Sequence, residues 1–484
     1  MVFSSSTFIF AFLPLTLLLY YISPRIVKNY TLLAASLFFY WWNQNQYLYL
    51  LLESILVNYL FGIIIWKSNK RLLRLGTLTA GLTLDIALLG VYKYTDFVIS
   101  IINDINEMNT PEGYMVNTIP LTDVLLPVGI SFFTFQGISY LVDIYRGTCK
   151  CCYNPFETAL YIASFPQLVA GPIVKYNEVS QQIKDRRTSI KGFAEGIEKF
   201  VTGLAKKTLI ANTLGETTDN VFASISTGID TPTAWLGIIC YTLQIYYDFS
   251  GYSDMAVGLG RMFGFTFPEN FNYPYISISI TEFWRRWHIS LSTWFRDYLY
   301  IPLGGNRKGF QSVNLLIVFF VTGLWHGASW NFVVWGLWYG VLIVFEKMIM
   351  LTKIDRIIPK SVRWFVTMAI VMAGWVVFRA DDMGQAISYF EVLAGKDQAF
   401  HRMLHQTFKY NINGRIVWTI VAGVIFATPA FSFICGKMKK LCYKNAASTI
   451  VYDLCELAVI FILFALSIIC VVNETYNPFI YFRF

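Results

Sequence analysis

The chain alternates long apolar runs with short polar breaks, and the runs have the length of membrane helices. A spanning helix needs roughly 20 predominantly apolar residues. Such runs fall near residues 3–22, 31–47, 48–66, 75–92, 121–142, 155–173, 233–250, 313–328, 329–350, 363–379, 416–434 and 450–472. The pattern predicts an all-α polytopic membrane protein with about ten to twelve transmembrane helices plus re-entrant and interfacial ones. Two runs carry their own breakers: Pro127 and Gly129 within 121–143, and Pro166 and Pro172 within 159–176. Irregular backbone at membrane depth is tolerated only where protein or a water-filled cavity covers it, so the second segment is expected to line an interior chamber. A simple proline kink is the plainer alternative.

Two stretches are amphipathic. Glu178–Thr208 places Phe193, Ile197, Phe200, Val201 and Leu204 on one side and predicts a helix lying in the membrane interface. On a helical projection of Thr281–Tyr300, Trp284, His288, Leu291 and Phe295 form one stripe, and Trp287, Leu291, Trp294 and Tyr298 its neighbour. His288 therefore faces the buried side. Between these stretches, Ala256, Gly260 and Gly264 recur every fourth residue and predict a close helix approach. With no internal repeat or long linker, the chain reads as a single membrane domain, 1–484, with scaffold helices (1–120), a core (121–350) and C-terminal helices (351–484).

Composition agrees: 56% of residues are hydrophobic and only 14% charged, with a mean hydropathy of +0.51. No basic residue precedes the first run and no small-residue cleavage pattern follows it, so it is expected to remain as a membrane helix. Arg25, Lys28, Lys67, Lys70, Arg71 and Arg74 flank the early spans, whereas Tyr94–Tyr145 carries acids and no Lys or Arg. The positive-inside rule then puts the N-terminus and the 104–120 loop outside. These flanks account for the net charge of +8, which excludes nucleic-acid binding as its reason. Lys93 and Asp96, at a span end, read as snorkelling side chains. The eight cysteines lie mostly on the basic side and are expected as thiols. Cys149, Cys151 and Cys152 lack a histidine or second pair, and His401 and His405 lack the glutamate of a zinc-protease motif, so no metal site is expected.

The chemistry concentrates in the other two of the four histidines. His326 lies inside an apolar span, where a histidine ordinarily makes an interhelical hydrogen bond. Its neighbours favour a reactive role. Gly323 and Gly327 are expected to open space around the ring, and Asn331 and the Trp325 indole N–H are donors suited to polarising a carbonyl. Desolvation keeps such an imidazole neutral, with a lone pair available as a base. Arg285, Arg286, Arg307 and Lys308 offer cations to an anionic phosphate or headgroup, beside Trp287 as a further contact. Asp248 is a carboxylate at membrane depth, expected either to orient a catalytic group or to pair with Arg261 or Arg285.

RRWHISLSTWFRDYLYIPLGG followed by TGLWHGASWNFVVWG resembles the signature of the membrane-bound O-acyltransferases, in the bacterial branch of alginate O-acetyltransferase subunits and teichoic acid D-alanyl transfer proteins. FPQLVAGPIVKY, DFSGYSDMAVGLGRMFGF and the terminal FIYFRF match as well. The resemblance implies a ring of helices around a central tunnel, with His326 at the near-invariant histidine and His288 at the second histidine or asparagine position. It implies transfer of an acetyl group from a cytoplasmic thioester, acetyl-CoA, to an outside hydroxyl for polysaccharide O-acetylation. His326 would be the general base and His288 would orient the donor or stabilise charge. No bound cofactor is expected. The partners implied are an extracytoplasmic hydrolase-like acetyltransferase, a polysaccharide and the bilayer, and the location is the cell inner membrane. D-alanyl or lipid acyl transfer on the same fold is the alternative, and a polar-solute transporter is the rival from another class.

Overall fold

The computed structural model describes residues 2–480 other than 112–117, 123, 170, 308–309, 352–356, 397–407, 474–475 and 479. Lys308, His401, His405 and most of the FIYFRF tail lie outside the described residues. Every regular element among those described is helical. Five stretches are long and apolar enough to cross a membrane: Lys28–Lys67, Arg71–Asn109, Trp330–Ile349, Lys360–Arg379 and Ala446–Asn473. The pair Gly414–Phe426 and Ala430–Cys442, bent by 64°, makes a sixth. The other predicted runs are shorter, broken or more polar helices, so the ten to twelve apolar segments do not each become a full-length span.

The breaks have local causes. Between Lys28–Gln44 and Leu48–Lys67 lies a single 3-10 turn, Asn45–Tyr47, where the Asn45 side chain accepts from the Gln46 N–H at 2.8 Å. The predicted 121–142 span is helical only from Ile130, because Gly129 adopts the left-handed region at φ 79° and the Leu168 carbonyl leaves no room there for a Cβ. The 159–176 segment folds as Pro155–Ala163 and the short turn Phe165–Leu168, then runs irregularly to Lys175. Its stretch from Gly171 to Lys175 is buried, as expected of irregular backbone at membrane depth, with Ile173 N–H donating to Ser290 Oγ at 3.0 Å.

Eight helices build the site: α1 (Arg71–Asn109), α2 (Ile190–Ala205), α3 (Thr231–Met262), α4 (Ile280–Arg286), α5 (Ile289–Phe295), α6 (Gln311–His326), α7 (Trp330–Leu351) and α8 (Lys360–Arg379). Phe200, Val201 and Leu204 bury against α3, so α2 packs into the protein, while Ile197 stays exposed. The close approach uses other small residues than expected. A Cβ on Gly196 would meet the Gly258 carbonyl at 2.7 Å and one on Gly251 the Gly203 carbonyl at 2.7 Å, whereas Gly260 faces the Phe267 ring.

Candidate active site

The second amphipathic stretch is not one helix. It breaks at Trp287–His288 into α4 and α5, and His288 sits at φ 45°, ψ 56° in the left-handed region. Such a backbone costs a β-carbon-bearing residue about 1–3 kcal/mol and persists only where its surroundings enforce it. Asn270 enforces it. Its backbone carbonyl accepts from the Ile289 N–H at 2.9 Å, and its side-chain oxygen accepts from Ser290 N–H at 3.1 Å and Ser290 Oγ at 2.9 Å. The same oxygen lies 3.2 Å from His288 Nδ1. Because the Ser290 N–H can only donate, the Asn270 atom facing it is the oxygen, and His288 Nδ1 must carry the proton. The neutral ring therefore has its lone pair on Nε2. The predicted stripe is nonetheless buried throughout: Trp284, His288, Leu291 and Phe295, with Trp287 and Trp294 beside them.

His326 is the last residue of α6 and is buried. Its ring lies 5.0 Å from the Trp325 ring, 5.1 Å from Trp335 and 5.3 Å from Phe378, centroid to centroid. His288 reaches the same indole at 6.0 Å, so both histidines contact Trp325. Phe135, 5.4 Å from Trp325, stacks on Trp294 at 3.8 Å and ties α5 to this cluster. The end of α6 is capped from α1. Lys93 Nζ donates to the Trp325 carbonyl at 2.5 Å and contacts that of His326 at 3.4 Å, and Tyr94 Oη donates to Leu324 O at 2.7 Å. A cation on the last carbonyls satisfies groups the helix leaves open. Lys93 is thus a cap rather than a snorkelling side chain, and Asp96 accepts from Thr122 N–H at 2.8 Å and Oγ1 at 2.6 Å.

Two spaces lie beside the end of α6. A polar pocket of about 450 Å³ lies past the end of α6, lined by Lys93, Asp96, Thr122, Gly327, Ser329, Arg379 and Asp381 together with Phe378. A narrow apolar cavity is lined by His326 itself with Ile245, Phe249, Trp287, Trp335, Trp375, Phe378 and Ile480, and leaves about 10 Å³, roughly one water's room. Phe378 forms a wall of both.

The other expected site residues divide. Trp287 lines the cavity, but Arg285 is exposed and Arg286 is held by Glu282 at 2.9 Å and by the Asn272 carbonyl, so neither arginine reaches it. Arg307 is exposed as well. Asn331 donates to the Ala380 carbonyl at 2.7 Å and fastens α7 to the end of α8. Gly323 makes room for α7, where its Cβ would stand 3.2 Å from Gly336 Cα, and Gly327 faces the Phe332 ring and lines the polar pocket. Asp248 pairs at 2.5 Å with Lys207, both 2% exposed, and not with Arg261 or Arg285. Arg261 instead reaches Thr266 Oγ1 at 3.3 Å. Beyond α5, burial pushes the Asp297 carboxyl up, but hydrogen bonds from Arg296 and Lys175 outweigh it and hold the group below its ordinary range. The tie from Lys175 at 2.7 Å is therefore present at neutral pH and lost only as pH falls through that lowered range.

Asn270, Lys207, Phe378 and Ile480 carry no assigned role in the sequence, and Lys93 reads there only as a snorkelling side chain. Only Lys207 left a signal there, since it falls on the buried side of the Phe200, Leu204, Thr208, Ala211 series.

Residues 152–378 match the model of the membrane-bound O-acyltransferase family. The chain is 40% identical to a probable alginate O-acetylase of Pseudomonas putida over a 502-position alignment covering 100% of both chains. It is 34% identical to a peptidoglycan O-acetyltransferase of Helicobacter pylori, over 92% of this chain and 90% of that one. With a teichoic acid D-alanyltransferase of Bacillus subtilis it shares 30% identity over 51% of this chain and 65% of the relative.

Proposed function

Because this chain belongs to the membrane-bound O-acyltransferase family, in its alginate O-acetylase-like branch, we propose that it carries an acetyl group from cytoplasmic acetyl-CoA to a hydroxyl presented outside the inner membrane. The protein is a multi-pass membrane enzyme, an O-acyltransferase. The observation that carries the finer reading is the place of His326 in the wall of an apolar cavity, with a polar pocket opening at the next residue, Gly327, and Phe378 common to both. The acceptor hydroxyl enters through the polar pocket and the acetyl methyl occupies the apolar cavity. His326 takes the hydroxyl proton as the oxygen attacks the thioester carbonyl carbon. The C–S bond breaks as the tetrahedral intermediate collapses, and the proton passes to the departing sulfur of CoA. Trp325, touching both histidines, directs its indole N–H at the developing oxyanion.

For His288, expected to orient the donor or to stabilise charge, the reading we propose is a positioning one. Its N–H is committed to Asn270, so the neutral ring has a lone pair but no donor for an oxyanion. Its ring, fixed by Asn270 and packed against Trp325, holds that indole in place beside the reacting carbonyl. Asn270→Ala therefore lowers kcat by about 10- to 100-fold, part of the ~10²–10⁴ that acid–base assistance contributes, with KM for acetyl-CoA unchanged. Asn270→Asp, which keeps an acceptor for Nδ1–H and for Ser290, restores most of it. A rise in KM with kcat intact would count against this assignment.

The first acceptor is a serine on an extracytoplasmic hydrolase-like partner, which passes the group to a polysaccharide. Full-length similarity to two O-acetylating relatives, against half-length similarity to a D-alanyltransferase, favours acetyl over D-alanyl transfer. The test uses purified protein in nanodiscs with labelled acetyl-CoA and, separately, a D-alanyl-loaded carrier protein. Release of CoA with transfer of label supports the proposal. Turnover of the carrier alone moves the enzyme to the other chemistry.

A further inference from the structure

Ile480 belongs to the C-terminal tail, yet it is 6% exposed and forms part of the wall of the cavity that holds His326. A set of contacts fixes it there. Its backbone N–H donates to Asp248 Oδ2 at 2.9 Å, and Lys207 Nζ, the ion-pair partner of Asp248, donates to the Pro478 carbonyl. Upstream, Tyr476 Oη donates to Asp219 Oδ2 at 2.5 Å, and Asn477 Nδ2 donates to the Ser4 carbonyl at 3.2 Å. Lys207 sits in the π-helical turn Lys206–Ala211, whose extra residue per turn places its ammonium beside α3. The buried Asp248–Lys207 pair thus anchors the tail.

The rest of the cavity wall is carried by helices, with Trp287 at the end of α4 and His326 at the end of α6, and five of its side chains are the aromatic rings of Phe249, Trp287, Trp335, Trp375 and Phe378. These rings pack on one another: Trp335 and Trp375 at 6.3 Å, Trp375 and Phe378 at 5.7 Å, Trp287 and Trp375 at 4.9 Å. A close-packed aromatic wall resists displacement. The space left, about 10 Å³, takes something of the size of a water or a methyl group. A longer acyl chain must displace a side chain, and the one held by a tail rather than by a helix is Ile480.

We infer that Ile480 is a specificity-determining residue that limits the transferred acyl group to two carbons; this rests on the acetyl-transfer reading above. Truncation to alanine removes three carbons, enough to admit the two that distinguish butyryl from acetyl. One methylene in an apolar pocket discriminates by about 10–200-fold.

The experiment measures kcat/KM for acetyl-, propionyl- and butyryl-CoA by thiol release, with native protein, Ile480→Ala and Ile480→Val in nanodiscs. The ratio of two donors on one preparation cancels the fraction of protein that is folded. Ile480→Ala is expected to raise the butyryl-to-acetyl ratio by roughly tenfold or more, and Ile480→Val to raise the propionyl-to-acetyl ratio by a smaller factor. Should Ile480→Ala lose all turnover, the Ile480→Val ratio decides. Donor ratios equal to the native ones in an active variant overturn the assignment while leaving acetyl transfer standing. A native protein that consumes none of the three donors, with acceptor and partner supplied, overturns acetyl transfer and this assignment with it.

Discussion

His326→Ala is expected to lose acetyl transfer by at least the ~10²–10⁴ that general-base assistance contributes, with donor binding retained. The loss falls on kcat because the imidazole acts only as the hydroxyl proton leaves. A structural account predicts something else. The ring packs against Trp325, Trp335 and Phe378, so its removal leaves a gap that lowers stability whatever its chemistry. His326→Gln separates the two. Glutamine fills much of the same space, and the caps from Lys93 and Tyr94 hold backbone carbonyls that neither substitution touches. Both variants should be equally inactive, though His326→Gln melts closer to the native protein. Activity that tracks melting temperature across the pair would make His326 a packing residue.

The features legible in the sequence were those set by composition and short-range pattern. Apolar runs gave the membrane class, the stripe through Trp284, His288 and Leu291 gave burial, and the prolines at 166 and 172 marked backbone that folds irregularly inside the protein. What escaped depends on contacts distant in the chain. A stretch with helical periodicity breaks at His288 because Asn270, 18 residues earlier, supplies one oxygen to three groups around the kink. No periodicity encodes that. Charged residues misled for a related reason. Lys93 looked like a snorkelling lysine because its partners are carbonyls of a helix more than 200 positions away. The arginines at 285 and 286 looked like ligands because a surface cation and a site cation are alike in sequence; a glutamate one turn earlier holds Arg286. Asp248 is a carboxylate at membrane depth, and its partner lies on a stretch whose pattern predicts only an interfacial helix.

That partner makes the second large prediction. Lys207 and Asp248 are both 2% exposed and 2.5 Å apart, so removing either charge leaves the other buried without its counter-ion. Breaking such a pair typically costs about 3–5 kcal/mol, whereas replacing both members with apolar or neutral groups costs far less. Lys207→Met and Asp248→Asn should therefore each lower the melting temperature in nanodiscs sharply, and the double variant should recover much of the loss. Activity should not follow stability. In the double variant the Pro478 carbonyl still lacks its donor and the Ile480 N–H keeps only a neutral amide oxygen in place of the carboxylate, so the tail holds the cavity wall less firmly. The expected result is a protein nearly as stable as the native one but poor in acetyl transfer, with relaxed preference among acyl-CoA donors. If the double variant regains activity in step with stability, the pair serves the fold alone and the tail needs no anchor at Asp248.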